Sequence, residues 1–533
     1  MEAECLSFSQ IPHTSRLFLD FLENFERVTK FYPLSPRETE RLPERRGSVA
    51  YPEDRRSAMA DILERQNRAF GAHPEVLKSI QRLRLGAAAI VSGQQVVLFG
   101  GPAYSLYKAV TAIKLAKELE RSGTPAVPIF WLATQDHDFA EVSQVSLRSG
   151  GKLRTFAIDP TAVEGTPVGG MVLDAQAAAV AQEAAKFLGS TPIAHELAGC
   201  YSAGETLGGA FAKLFAAIFG SSGLILFDPS DEAVARLATP IYQKALEMAP
   251  ELNRELLARD SELEGAGYHS QVKITNSSTL LFSNTDGVRT AIRRANGDFA
   301  IGQRKLKLAE LKQEIADHPE RFSGNALLRP VAQDFLLPTL AYIGGPAEVA
   351  YFAQVAVVYE KLLGRLTPIL PRLSATLLDA RDQRLLKRYK ISLLDVLRAG
   401  GGLREFLASR SLPPELAERF QQASESMNSS LAGLAESLQK LDPTLADSGK
   451  HAFSKIRYQL ERLRGRAARA RVKRDHELSE QAATLSQSLN PGQELQERVI
   501  GGVSFISQIG PELIDRLYDA VEPACTGHQV LTI

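Results

Sequence analysis

The chain has 533 residues, 44% of them hydrophobic, and its 62 Lys+Arg are matched by 62 Asp+Glu. At roughly 150 residues per domain, that length predicts two to four globular domains with ample cores, and the charge balance excludes a global field drawing it to nucleic acid or anionic membrane. Three scattered cysteines, Cys5, Cys200 and Cys525, with no C-x-x-C pair argue against a disulfide framework or zinc ribbon and fit a reducing, cytoplasmic setting.

The N-terminus MEAECLSFSQ carries acids where a signal peptide needs positive charge, and no apolar run reaches the ~18 residues of a membrane span. A soluble, unprocessed protein is expected. Residues 1–50, rich in Pro, Arg and Glu, read as an irregular arm. Between Arg55 and Leu85 the apolar residues recur at helical spacing, broken at Gly71–Pro74, which predicts two helices. Residues 88–108, AAIVSGQQVVLFGGPAYSLYK, then read as the first strand, loop and helix of a nucleotide-binding α/β domain. The helix runs from Ala103 and stops at Ser122-Gly123-Thr124-Pro125.

Val127–Leu132 is an apolar run without alternation, as a buried parallel strand requires, and it ends in Thr134-Gln135-Asp136-His137-Asp138. Residues 145–175 predict a β-rich insertion, followed by helices over Ala177–Leu188 and Gly208–Phe219. A third parallel strand is expected over Gly223–Pro229. After a helical stretch to about 264 comes Gly267-Tyr268-His269 and an expected hairpin of Val272–Ile274 with Thr279–Phe282. Residues 336–363 repeat the strand, Gly-Gly-Pro-Ala and helix of the opening stretch. From Asp382 strands disappear. Phe420, Ala423, Met427, Leu431, Leu434, Leu438 and Leu441 form a coiled-coil seam broken at Asp442-Pro443, and a second long helix is expected from about Phe453 to Leu489. The pair makes an antiparallel hairpin, and an uncovered apolar stripe on it predicts dimerisation.

Two carboxylates flanking an imidazole beyond a strand end can bind a metal, position ATP–Mg²⁺ or act as acid and base, or are simply a surface histidine capped by acids; on the first set of readings Asp136, His137 and Asp138 are the catalytic candidates. Gly100-Gly101-Pro102 with Tyr104, Ser105 and Lys108 offers amides, a hydroxyl and a cation that can cradle phosphate, or is simply a tight turn with a solvated lysine. Arg329, with Gln333 and Asp334 one turn on, can hold a carboxylate. His269 reads as a structural loop residue. Lys455–Arg474 carries nine Lys/Arg against one acid, but only Tyr458 interleaves as a stacking partner, so a solvated helix face is favoured over nucleic acid.

The segments SGQQVVLFGGPAYSLYKAVTAIKLA (92–116), IFWLATQDHDFAEV (129–142), GETLGGAFAKLF and GLILFDPSD (within 204–231), GYHSQV (267–272), NALLRPVAQDFLLPTLAYIGGPAEVAYF (325–352) and LNPGQELQERV (489–499) closely resemble, in order, the cysteine ligase family of bacillithiol biosynthesis, BshC. The resemblance implies an α/β, Rossmann-like parallel-sheet core over 1–381 with an N-terminal arm and two inserted connecting segments, at about 145–205 and 265–325. It further implies an α-helical antiparallel coiled-coil domain over 382–489 that forms a homodimer, and a segment over 490–533 packing back on the core.

The implied reaction joins cysteine to glucosaminyl-malate with ATP and Mg²⁺, leaving ADP as product or bound nucleotide; from the residues themselves no metal ligands are assigned and no nucleic-acid or membrane partner is expected. Gln94, Gln95, Gly100, Gly101, Tyr104, Ser105, Lys108, His269, Asn325, Arg329, Gly344 and Gly345 then stand as substrate-binding residues, and Asn490, Gln493, Leu495 and Gln496 as nucleotide-binding ones. The His-Ile-Gly-His and Lys-Met-Ser-Lys-Ser signatures of class I synthetases are absent. That leaves a second reading, a non-catalytic nucleotide-binding scaffold that recruits a separate ligase through its coiled coil.

Overall fold

The structure, a computed structural model, describes residues 3–160, 163–285, 287–295, 297–410, 414–442, 445–472, 476–522 and 525–533. The chain divides into two compact units, Met1–Leu377 with Glu497–Ile533, and Leu378–Gln496. Among the described residues no helix is long and apolar enough to cross a membrane.

The first unit is built on a parallel sheet of β1 (Ala88–Gln94), β2 (Ala126–Leu132), β3 (Ile225–Phe227), β4 (Thr339–Gly344) and β5 (Ile369–Pro371), in the order β5-β4-β1-β2-β3. Every residue of β2 and β4 is buried, which is why these runs show no alternation. The order reverses between β1 and β4, so connections leave toward opposite faces and open a crevice at the carboxyl ends of those strands. Helix α1 (Tyr104–Arg121) covers one face. Its Leu106, Tyr107, Val110 and Ile113 join a core with Phe130, Phe211 and Phe215, while Ala112, Leu115 and Leu119 pack with Ile90, Leu340 and Ile343. Helix α2 (Pro346–Leu363) follows β4 directly, with proline in its first turn and left-handed Gly364 at its end.

Several expectations shift. The link from β1 to α1 is a longer excursion than a tight turn: a 3₁₀ turn spans Leu98–Gly100, and Phe99, Gly100 and Gly101 have φ of 54°, 83° and 72°. Phe99 is fully buried against Tyr201, with ring centroids 5.0 Å apart, so this apolar contact holds the left-handed backbone in place. Gly345, by contrast, has φ −90° and caps α2 directly. The two Gly-Gly-Pro-Ala segments therefore share residues and not conformation.

The hairpin expected at 272–282 lies further on. Ser278–Thr285 pairs antiparallel with Val288–Ala295 in a five-stranded insertion that also holds Asp298–Ile301, Arg304–Leu306 and Phe322–Gly324. Val272 is no strand residue because a side chain takes its backbone: the buried Gln354 of α2 accepts its N–H at 2.8 Å and donates to its carbonyl at 2.9 Å. The first insertion is a hairpin of Gln144–Ser149 with Lys152–Ala157, followed by helices Ala175–Leu188 and Pro192–Cys200.

The arm over residues 1–50 contains a helix, Arg16–Glu23, whose Leu17, Phe18, Phe21 and Leu22 are buried. Strand Ala3–Leu6 pairs antiparallel with His528–Thr532, and this brings Cys5 and Cys525 together as a disulfide. The expectation of unpaired cysteines thus fails for two of three. A sequence separation of 520 hides a neighbour that only the pairing of the chain ends creates.

The second unit is helical. Helices α3 (Pro414–Leu441) and α4 (Leu445–Val472) pack side by side, with Arg457 Nε donating to Asn428 Oδ1 at 3.1 Å, and α5 (His476–Leu489) follows. Helices α4 and α5 cover the run expected from Phe453 to Leu489 on either side of residues 473–475, which lie outside the described residues. Pro443 of the expected break, and Lys473 and Arg474 of the basic run, lie outside the described residues. Leu431 and Phe453 are buried, whereas Leu434, Leu441, Ile456 and Leu463 are 50, 78, 45 and 55% exposed.

Candidate active site at the sheet switch point

A cleft of about 650 Å³ opens where the strand order reverses. Gly93 and Gln94 of β1, Ala133 beyond β2 and Gly345 beyond β4 form its floor, as expected for a site outside the carboxyl ends of parallel strands. Gly93 lies beside Trp131, and a Cβ there would come within 2.7 Å of the Trp131 carbonyl, so only glycine lets β1 and β2 pair this closely at the site.

Of the residues expected from sequence, Gln94, Gln95, Tyr104, Lys108, Asp136, Asn325, Arg329 and Gly345 line the cleft. Gly100, Gly101, Ser105, His137, Asp138, His269 and Gly344 do not. Gly101 packs against Val97, and Ser105 is fully buried. His269 is exposed and pairs locally with Gln271 at 3.1 Å. In the second unit Asn490 and Gln496 are buried, and Gln496 Nε2 donates to the Ser488 carbonyl at 2.9 Å; Gln493 is exposed and Leu495 half-buried.

Lys108 is buried in the cleft floor. Its ammonium donates to the Gly93 carbonyl at 2.8 Å and Gln94 Oε1 at 2.9 Å, and lies 2.6 Å from Glu348 Oε2. An ammonium has three protons, and all three are spent inside the protein. Glu348 also accepts from the Tyr342 hydroxyl at 2.6 Å and the Gly345 N–H at 2.7 Å. Burial alone would raise its carboxyl, but Lys108 and these donors outweigh burial and hold it below the usual carboxylate range.

From Lys108 a chain of amides crosses the floor. Gln94 Nε2 donates to Gln95 Oε1 at 3.4 Å and to the Tyr104 hydroxyl at 3.3 Å. Gln95 Nε2 donates to Asp136 Oδ2 at 2.9 Å and to Glu141 Oε2 at 2.6 Å, so one amide nitrogen bridges two carboxylates. Asp136 Oδ1 accepts the His137 N–H at 2.7 Å, and Asp138 Oδ1 caps a short helix through the Glu141 N–H at 3.1 Å. This wall is acidic.

The facing wall is basic. Arg329 donates to the Tyr351 hydroxyl at 2.7 Å and to Gln333 Oε1 at 3.3 Å. Asn325 Oδ1 is taken by the Leu327 and Leu328 N–H groups, both at 3.0 Å. Arg372 is buried and held by Glu497 Oε1 at 2.7 Å and the Leu373 carbonyl at 2.7 Å. Glu497 is fixed in turn by the Ser374 hydroxyl at 2.9 Å and the Ala375 N–H at 2.8 Å. Arg498 and Lys273 complete the basic lining. Among the described residues no cluster of three His, Cys, Asp or Glu side chains is placed to hold a metal ion.

Sequence reasoning missed Arg289, Arg372, Glu141 and Glu348. Arg289 stands on Val288–Ala295 in the second insertion, and its NH1 lies 3.1 Å from His137 Nδ1. Only Glu348 carried a local signal, as an acid two residues after Gly-Pro in the first turn of a helix.

Residues 1–373 match the family described as Bacillithiol biosynthesis BshC, N-terminal Rossmann-like domain, and residues 375–533 match its C-terminal coiled-coil domain. Similar proteins, each named "Putative cysteine ligase BshC", occur in Koribacter versatilis (44% identical, 100% of both chains covered), Solibacter usitatus (38%, 100% of both) and Symbiobacterium thermophilum (32%, 94% of both).

Proposed function

This chain belongs to the BshC family of bacillithiol biosynthesis, and we propose that it is the ATP-dependent ligase that forms an amide between the cysteine carboxylate and the amine of glucosaminyl-malate. The observation that carries the reading is the opposed lining of one cleft. Asp136 and Glu141 suit an ammonium group, and Arg329, Arg372 and Arg498 suit carboxylate or phosphate oxygens. A carboxylate does not react with an amine unaided. ATP supplies activation as an acyl phosphate or acyl adenylate, with Mg²⁺ screening its phosphates. The arginines stabilise the departing phosphate, and Asn325 orients the substrate. Lys108 sets the shape of the floor and does not cradle phosphate.

Gln493 and Leu495 are the nucleotide candidates that solvent can reach. The exposed leucines of α3 support a homodimer formed through the coiled coil.

Purified protein incubated with ATP, Mg²⁺, cysteine and glucosaminyl-malate is expected to release bacillithiol together with ADP or AMP. Absence of product overturns the reading. One observation favours the scaffold alternative: the cleft lysine has no proton left for a phosphate. Turnover by the isolated chain removes that alternative.

A further inference from the structure

His137 sits between two groups that want opposite things of it. Its Nδ1 lies 3.1 Å from Arg289 NH1 and 3.6 Å from Asp136 Oδ1. A guanidinium can only donate, and 3.6 Å is too long for a competing hydrogen bond, so Nδ1 is the acceptor and the ring proton belongs on Nε2. Arg289 has little freedom to release it. Its Nε donates to Ser323 Oγ at 3.2 Å, its NH2 donates to the Gly324 carbonyl at 2.8 Å, and its guanidinium lies 4.0 Å from the centre of the Phe282 ring. Its own N–H donates to the Gly165 carbonyl at 2.9 Å, tying the two insertions together behind the imidazole. A histidine held this way has its only lone pair engaged and offers a donor, not a base.

The neighbouring carboxylates differ in what they have left. Asp136 accepts at both oxygens, and Asp138 caps a helix. Glu141 accepts from Gln95 through Oε2, no described residue donates to its Oε1, and its side chain is open to the cleft. We propose that Glu141 is the base that takes the proton from the attacking amine, and that Arg289 is a positioning residue that keeps His137 a neutral donor. Partial burial, with Asp136 and Asp138 close by, raises the Glu141 carboxyl, against the hydrogen bond from Gln95 and the charge of Lys108. A raised carboxyl is a stronger base toward an ammonium.

This inference rests on the amide-forming reaction proposed above. The ammonium loses one proton to solvent, its nitrogen forms the C–N bond to the activated cysteine carbonyl, and the remaining surplus proton passes to Glu141. The C–O bond to phosphate or adenylate breaks, and the leaving group departs with the electron pair.

The test compares wild-type full-length protein with E141Q, E141D and H137Q in ligation of cysteine to glucosaminyl-malate, with ATP saturating, from pH 5.5 to 9. E141Q is expected to lose roughly 10²–10⁴-fold in kcat, the range for a removed general base, with E141D partly restoring it. The acid limb of the wild-type pH profile is expected to persist in H137Q and to vanish in E141Q. ¹⁵N NMR of wild-type imidazoles is expected to report an Nε2–H neutral His137 that changes in R289Q. An E141Q enzyme with full kcat, an acid limb lost with His137 instead, or an Nδ1–H tautomer overturns the inference. If wild type itself forms no product, the proposed reaction falls and the base role with it, while the NMR result still judges the Arg289–His137 pair.

Discussion

Lys108 Nζ and Glu348 Oε2 lie 2.6 Å apart across the line where the strand order reverses, joining the helix that follows β1 to the helix that follows β4. Both side chains are largely buried, at 5 and 15% exposure, so the pair is a structural tie as much as a feature of the cleft. Removing one partner leaves the other charge stranded, which costs about 3–5 kcal/mol. K108M is therefore expected to lower the unfolding midpoint of the first unit markedly, and the K108M/E348Q double variant to recover part of the loss. Denaturant melts check this. Unchanged stability with a raised KM for ATP would return Lys108 to the role of a phosphate ligand.

A second prediction concerns pH. His528 is fully buried, with Nδ1 2.8 Å from Ser374 Oγ and Nε2 2.8 Å from Thr376 Oγ1. The Ser374 hydroxyl proton is directed at Glu497, so the ring donates to Ser374 Oγ through Nδ1–H. Burial, against the attraction of Glu497, lowers its pKa from 6.5 to about 4. The unfolded imidazole binds a proton at a pH where the folded one does not. This contribution to stability is thus complete above pH 6.5 and is lost as the pH falls toward 4, by about 3 kcal/mol in all. H528N should flatten that part of the curve in unfolding measured at intervals from pH 7.5 to 4.

The Cys5–Cys525 bond fixes strand Ala3–Leu6 beside His528–Thr532. Cross-links of this kind contribute roughly 2–5 kcal/mol, mainly by restricting the unfolded chain. Reductant is expected to lower the wild-type melting temperature and to leave C5S, already lowered, unchanged. Equal response of the two proteins to reductant would show that the bond contributes nothing.

Gly169 presses on the strand end that carries the acidic wall. A Cβ there would come within 2.3 Å of Thr134 Cβ, while Gly169 and Val168 donate to the Thr134 and Asp136 carbonyls at 3.0 and 2.7 Å. G169A should cost about 1–3 kcal/mol as an overpacked site and displace Asp136, lowering kcat more than it raises KM. Normal kinetics in G169A would mean that the insertion does not position the site.

The parallel sheet was legible because buried strands must be continuously apolar, and Val127–Leu132 and Ile225–Phe227 announce themselves that way. The acid cluster at 136–138 was visible for the same reason, since it follows directly from a strand. What stayed hidden depends on distant side chains. No local pattern shows that Gln354 occupies the backbone of Val272, or that Arg289, from a separate insertion, determines which nitrogen of His137 is free. The Gly100-Gly101 turn misleads because its residues suit anion binding, while its conformation is set by Phe99 burying itself against Tyr201.

The pairing of Ala3–Leu6 with His528–Thr532 imposes an order of events on the growing polypeptide. At roughly 5–20 residues per second, the first strand waits on the order of half a minute to two minutes before its partner exists. Arg372 likewise emerges well before Glu497, the carboxylate that clamps it. A nascent chain can assemble the sheet as it is made, but the basic wall of the cleft is completed only once Glu497 and Arg498 have left the ribosome. A message broken off before Glu497 would then yield a protein with a core and an unfinished site.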